Sequence, residues 1–259
     1  MKLLTGFLMA WGNFLVLPCP VKRWDNDLKN HMLGFLPTIG FILGGLWAGL
    51  CIFLVWLGTP FFILAFLLSF LLPALCGFLH FDGFMDCNDA IFSRKSLEEK
   101  QRIMKDSSCG AFAVVGAVFM ILAYFCFIAT ALGTGIDFID LWLIPVVSRS
   151  FAGINVLLSK PIGHSQYAEG KGSSDSGQKK KAALAIILQL ILFCAIGLFV
   201  AVDITATLTV IGATALVSLI SIALAKRSLG GMSGDIAGFG IVSVSYTHLR
   251  AHETEADLV

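Results

Sequence analysis

Six apolar runs, each long enough to cross a bilayer, leave this chain few ways to fold. They lie at about residues 34–57, 60–79, 110–132, 138–159, 182–202 and 204–225. A span needs ~20 mostly apolar residues, because the hydrocarbon core is about 30 Å thick and an α-helix rises about 1.5 Å per residue. Within that layer every backbone N–H and C=O has to find its partner inside the segment, which selects helices. A seventh run begins at Ile236 and turns polar after about nine residues, enough for ~14 Å of helix. The shorter apolar stretch 3–17 suits an interfacial or re-entrant helix. The fold expected is therefore all-α: a polytopic integral membrane protein of about six to seven transmembrane helices, plus a short N-terminal interfacial or re-entrant helix. Residues 1–244 read as one membrane-embedded domain. The polar tail 245–259 departs from the pattern, reads as non-native to it, and is given no role, its His248 and His252 included.

Composition points the same way. The chain is 57% hydrophobic and 14% charged, against about 25% charged for a soluble domain. A net charge of +1 lacks the basic footprint of a nucleic-acid-binding surface. Seven cysteines, none in a C-x-x-C pair, read as free thiols packed like small apolar residues rather than as zinc ligands. No small-x-small cleavage site follows the first apolar stretch, so the N-terminus reads as part of the mature protein.

Loop charge sets the orientation. The connections 20–33, 80–109, 160–181 and 226–235 carry 15 of the 18 basic residues, and the turns between them, near Gly58, Gly133–Asp137 and Asp203, carry none. That alternation fits six spans, and the positive-inside rule makes the four basic loops cytoplasmic. The Gly/Ser/Lys stretch 170–181 reads as a mobile loop or lid whose lysines could anchor to anionic headgroups.

Four constellations could carry chemistry. In the run 80–89, HFDGFMDCND, helical spacing puts Asp82, Asp86 and Asp89 on one face. Carboxylates ~6 Å apart repel by roughly 3 kcal/mol per pair at an effective dielectric near 20. A divalent cation relieves that repulsion. Mg²⁺ suits it, since it takes oxygen ligands and shares them with substrate phosphates. The bland reading is a solvated helix end with incidental acids, and His80 alone reads equally as an interfacial anchor. The second constellation is Arg94 and Lys95 with Arg102, Lys105, Asp106 and Ser107. Those bases satisfy the positive-inside rule, but bases beside metal-holding acids are also the parts of phosphoryl transfer. The third is Arg149, inside an apolar span, where a charge costs about 2.5–3.5 kcal/mol and is usually functional. Its structural alternative is a pairing with a buried acid or with backbone carbonyls. The fourth is 229–238, LGGMSGDIAG, where Gly231, Ser233 and Gly234 allow close backbone approach to a phosphate and Asp235 could add a metal ligand.

Together these elements resemble the cobalamin synthase family, the adenosylcobinamide-GDP ribazoletransferases. The family's H-x-D-G-x-x-D-x-x-D element matches His80, Asp82, Gly83, Asp86 and Asp89, followed by Phe92, Ser93 and Arg94. Its I-M-[KR]-D-S element matches Ile103, Met104, Lys105, Asp106 and Ser107, with Gly110 close behind. Ser148 and Arg149 match a later Ser-Arg, and Gly230, Gly231, Ser233, Gly234 and Asp235 match G-G-x-[ST]-G-D. One departure is an acid, Glu169, where Y-A-[RK]-x-x-G-L-G usually has a base.

The resemblance implies a Mg²⁺-dependent enzyme of a bacterial cytoplasmic membrane, with its site facing the cytoplasm. It would join adenosylcobinamide-GDP to α-ribazole or its 5′-phosphate and release GMP, the last assembly step of adenosylcobalamin. Asp82, Asp86 and Asp89 would hold metal, and one of them or His80 would take the proton. Arg94, Lys105, Asp106, Ser107, Arg149, Gly231, Ser233, Gly234 and Asp235 would contact substrate. The implied partners are the corrinoid nucleotide, α-ribazole and the lipid bilayer. Homo-oligomerisation or association with other corrinoid-pathway enzymes is marked by no residue. A CDP-alcohol phosphotransferase is the alternative enzyme, but Asp82 and Gly83 are not followed by its A-R and later acids. An ion-coupled transporter would place such acids near the midplane on broken helices.

Overall fold

Every long apolar run forms a helix. The computed structural model describes residues 1–135, 137–162 and 176–244. In chain order the helices are α1 (Lys2–Phe14), α2 (Lys29–Gly34), α3 (Leu36–Trp56), α4 (Phe61–Leu75), α5 (Leu79–Phe92), α6 (Leu97–Ile103), α7 (Ala111–Thr134), α8 (Phe138–Leu158), α9 (Ser176–Val200), α10 (Ile204–Leu229) and α11 (Gly234–Val244). Helices α3, α7, α8, α9 and α10 are each long and apolar enough to cross a membrane, and the bent pair α4–α5 makes a sixth span if counted as one. The polytopic all-α architecture expected from the sequence is therefore the architecture found. The tail 245–259 and the loop carrying Glu169 lie outside the described residues.

The core is built around α8. Its most apolar stretch is 72% buried, whereas those of the other long spans are 17–39% buried and present their side chains outward. Among apolar lipid chains, helices associate through close packing rather than through hydrophobicity. Gly40 and Gly44 of α3 sit directly on the α8 backbone at Pro145 and Trp142, where an added Cβ would clash. Two glycines at i, i+4 thus let two backbones approach as side chains would not.

The basic loops gather at one end of the bundle. There the Lys226 ammonium donates to Asn155 Oδ1 (2.8 Å) and Ser159 Oγ (2.9 Å). Met232 N donates to the Lys160 carbonyl (2.8 Å), and Ile162 N to the Met232 carbonyl (3.0 Å). Gln101 donates to the Leu229 carbonyl, and Gly34 packs on Ala182. The opposite end is acidic. Asp137 caps α8 at Ile139 N and also accepts from Val202 N, while Asp203 caps α10 at Thr205 N and Ala206 N. N-terminal carboxylate caps satisfy donors that a helix leaves orphaned.

Three expectations need correction. The apolar run 60–79 does not form one straight span: it breaks after Leu75, and α4 and α5 meet at 89°. Pro73 weakens the last turn, and Gly77 and Phe78, both with φ 58°, reverse the backbone. A phenylalanine in that left-handed region costs roughly 1–2 kcal/mol, a strain the surrounding packing has to hold. Next, the stretch 80–109 is largely helical, in α5 and α6, rather than a loop. Finally, 176–181 belongs to the first turns of α9 rather than to a mobile loop, and the rest of that stretch lies outside the described residues. The cysteines are all free, but only Cys51, Cys76 and Cys87 are buried, and Cys109 and Cys126 are exposed.

The first apolar stretch packs against the bundle. Gly6 packs on His31 near the basic end, Phe14 stacks on the His80 ring, and Val16 N donates to the Leu75 carbonyl at the α4 break (2.9 Å). Helix α1 thus dips into the bundle as far as the break, where irregular backbone is sheltered by protein.

Candidate active site

The acidic helix α5 runs antiparallel to α7. Phe92 meets Phe112, Asp89 meets Gly110 and Ala113, Asn88 meets Gly116, and Phe81 and Phe84 cluster with Ala117 and Tyr124. Since α7 rises about 1.5 Å per residue, the His80 end of α5 lies ~20 Å along α7 from its basic-end terminus. The acids therefore do not all sit at the mouth, as the loop assignment implied. They climb from the middle of the bundle to its basic end.

The two motifs 150 residues apart are brought face to face by missing side chains. A Cβ on Gly83 would lie 2.7 Å from Asp235 Cα, and one on Gly238 would lie 2.9 Å from the His80 carbonyl oxygen. Helices α5 and α11 can touch only because both positions are glycine. The turn before α11 begins at Gly230, whose φ of 83° ends α10, and Ser233 Oγ accepts from Ile236 N at the start of α11. Its hydroxyl also lies 3.3 Å from Asp235 Oδ2. Asp235 thereby joins the α5 acids: Asp82, Asp235 and Asp89 all lie close enough to Asp86 to act on its charge. Asp82 is exposed and Asp86 half-buried.

Asp89 has a further task. It is buried, and its two oxygens accept from Gly110 N and from Ala113 N (2.9 Å). Gly110 is the N-terminal cap position of α7 and has no side chain to offer, so a carboxylate from another helix caps α7. Gly110 is also needed sterically, because a Cβ there would meet that carboxylate at about 2.5 Å. We expect Asp89→Ala to lower stability by about 1–2 kcal/mol, as loss of a buried cap should, with Asp89→Asn recovering part of it. Thermal melting of the purified variants checks this, and an unchanged melting temperature would refute the capping role.

His80 and Arg149 close the inner end. His80 is buried against Phe14, its Nε2 has no partner, and the Arg149 guanidinium is near enough to act on its charge. Arg149 is 1% exposed. It donates to Cys76 Sγ at the α4–α5 break (3.3 Å) and, at the long distance of 3.5 Å, to the Pro145 carbonyl, while its Nε has no partner. Neither of these two contacts is to a carboxylate. Cys76, Phe14 and Tyr124 were not singled out from the sequence; nothing in their local pattern marks them, and only the break brings them here.

The basic segment stays apart. Arg94, held at φ 55°, and Lys105, Asp106 and Ser107 are all exposed. Asp106 accepts from Ser108 N, which holds its carboxyl below the usual range. Gly231 lies against Ile162 and Lys160 in the turn between α10 and α11.

No group of three or more His, Cys, Asp or Glu side chains among the described residues is arranged to hold a metal ion. The donor set nevertheless suits Mg²⁺, which needs one or two carboxylates and completes its shell with water and substrate phosphate. The oxygens of Asp82, Asp86 and Asp235 are of that kind.

The fold is that of a multi-pass helical membrane protein, with an acidic centre where α5 meets α11. The chain belongs to the cobalamin-5-phosphate synthase family, whose model matches residues 6–250. Among curated relatives, it is 34% identical over 92% of its length to an adenosylcobinamide-GDP ribazoletransferase of Clostridium perfringens (strain 13 / Type A), covering 93% of that protein. Similar matches are to proteins of the same name from Clostridium botulinum (strain Alaska E43 / Type E3), 31% identical over 93% of this chain and 94% of the relative, and Geobacillus thermodenitrificans (strain NG80-2), 30% identical over 90% and 89%. No solved structure matches. Family membership makes the chain a membrane transferase of cobalamin synthesis.

Proposed function

We propose that this protein joins adenosylcobinamide-GDP to α-ribazole or its 5′-phosphate, releasing GMP, with Mg²⁺, at the cytoplasmic face of a bacterial membrane. The observation that carries this reading is the meeting of Asp82 and Asp86 with Asp235 across the Gly83 contact. It unites two elements that family membership would otherwise leave separate in sequence. Asp86 with one neighbouring carboxylate, that of Asp82 or Asp235, would hold Mg²⁺, which would supply charge neutralisation at the pyrophosphate oxygens. Asp89, with both oxygens committed to α7, fixes the helix that presents them.

In the transfer, a ribose hydroxyl forms a bond to the cobinamide-side phosphorus and the bond to GMP breaks. The hydroxyl proton passes to an acceptor in the group from His80 to Asp235. Arg149 brings a fixed positive charge to the inner end of the site, where it favours the charge developing on the transferred phosphate. Arg94 and Lys105, exposed at the basic end, are placed to meet the nucleotide as it enters.

The test is incubation of membranes containing the protein with adenosylcobinamide-GDP, α-ribazole and Mg²⁺, following GMP by chromatography. GMP release dependent on all three is expected, and its absence would reject the reading. Orientation has its own test. A reporter fused after Gly135, at the acidic end, is expected to behave as non-cytoplasmic, and a cytoplasmic signal would reverse the placement of the site.

A further inference from the structure

A cavity of about 140 Å³ lies between α1, α2, α3, α5, α8 and α11. Its wall is about half polar and half apolar: Phe14, Leu36, Ala152 and Val156 are among the apolar side chains, and Asn13, His80 and Asp235 supply polar groups. His80 and Asp235 belong also to the acidic centre, so the cavity opens onto the place where bonds change. His80 is buried and its Nε2 has no partner within the protein.

Size and lining restrict the occupant. Cavities of about 150 Å³ hold one benzene-sized ring, so this one has room for the benzenoid ring of a fused base whose second ring lies at its polar mouth. A mixed wall suits a planar ring system with an apolar edge and ring nitrogens, because each buried polar group needs a partner. An acyl chain has no nitrogen to offer. Clefts that suit acyl chains lie elsewhere: two larger ones, of about 520 and 700 Å³, flank Phe84 and Phe92 and are lined almost wholly by apolar side chains.

We propose that this cavity seats the aromatic azole base of the riboside substrate, and that Ala152 and Leu36 set which bases are accepted. The inference rests on the functional reading above. With the benzenoid part of the base against Phe14, Leu36, Ala152 and Val156, its nitrogen-bearing edge faces Asn13, His80 and Asp235. The ribose then projects towards the acid cluster. The hydroxyl that attacks phosphorus is thus positioned by a ring held some distance from it, as remote binding energy is used elsewhere in catalysis.

Two substitutions and two readouts test this. Ala152→Leu places three further carbons in the cavity. It is expected to raise KM for α-ribazole about tenfold or more, the scale of a misfit methylene in an apolar pocket, while KM for adenosylcobinamide-GDP stays the same. Leu36→Ala enlarges the cavity and is expected to shift preference towards ribosides with bulkier ring substituents. Independently of activity, calorimetry with purified protein and free benzimidazole is expected to show binding that Ala152→Leu weakens by a similar factor. Should Ala152→Leu fail to insert, the Leu36→Ala preference and wild-type calorimetry still decide the matter. Normal GMP release with neither substitution changing riboside KM or base preference would overturn the cavity assignment, as would absence of benzimidazole binding. If wild-type protein releases no GMP with any riboside, the functional reading fails instead, and the benzimidazole titration still reports on the cavity.

Discussion

Asp86→Asn is expected to abolish transfer by about 10³-fold or more while leaving the protein inserted and at least as stable as wild type. The substitution keeps the shape of the side chain and removes one charge. Three carboxylates, those of Asp82, Asp235 and Asp89, act on that charge. In the absence of a cation, each such neighbour at ~6 Å repels by up to roughly 3 kcal/mol at an effective dielectric near 20. Removing Asp86's charge therefore relieves repulsion in the resting protein. The same removal takes away a ligand for Mg²⁺, and loss of one preorganised electrostatic contact to a transition state costs about 10²–10³ in rate before any loss of metal affinity is added. Activity and stability should thus move in opposite directions. Asp82→Asn, at the exposed member of the set, should act likewise. Two measurements check this: GMP release, and thermal melting with and without Mg²⁺. Wild type should melt higher with Mg²⁺, since a ligand that binds only the folded state stabilises it, and the Asn variants should lose that increment. A variant that keeps full activity, or keeps the Mg²⁺ increment, would remove Asp86 from the metal set.

The sequence predicted the helices well because each obeys a local rule. Length and apolarity marked five of the six spans to within about six residues, and the alternation of basic loops with turns that hold no basic residue anticipated that the described basic segments gather at one end. The break at 76–78 escaped detection because its cause is not apolarity. The run 60–79 is uniformly hydrophobic, and only Pro73 and Gly77 hint that it turns. That one break moved the acids from the mouth to a path climbing into the bundle. A midplane break beside acids is the feature expected of an ion-coupled transporter, so geometry alone would have strengthened that alternative. Family membership over 6–250 decides for the transferase. Of the site, the motifs were legible but their pairing was not. Nothing local to Gly83 or Gly238 says that each faces the other motif, because a glycine's close approach is a property of the partner helix. Asp89 illustrates the opposite limit: spacing made it a third ligand, while the fold uses both of its oxygens at the start of α7.

Arg149→Met should separate stability from function in the other half of the site. Arg149 is 1% exposed in the most buried span of the protein. A guanidinium at such a position costs about 2.5–3.5 kcal/mol on insertion scales. Its contacts are poor compensation: a cysteine sulfur at 3.3 Å, a carbonyl at 3.5 Å, and nothing at Nε. Breaking a buried pair is costly when it leaves an uncompensated charge behind, and neither of these two contacts is to a carboxylate. Methionine is unbranched and apolar and fills much of the same space. The variant is therefore expected to melt no lower than wild type, and higher by part of that insertion cost. Transfer should fall by about 10²-fold or more, since the charge facing the inner end of the site is gone. Arg149→Lys, which keeps the charge but not the planar fork, should recover part of the activity and none of the stability gain. A structural arginine would behave differently: melting temperature and activity would fall together in the Met variant, and lysine would rescue both or neither. Thermal melting and GMP release on the same two preparations therefore distinguish a charge retained for the reaction from one retained for the fold.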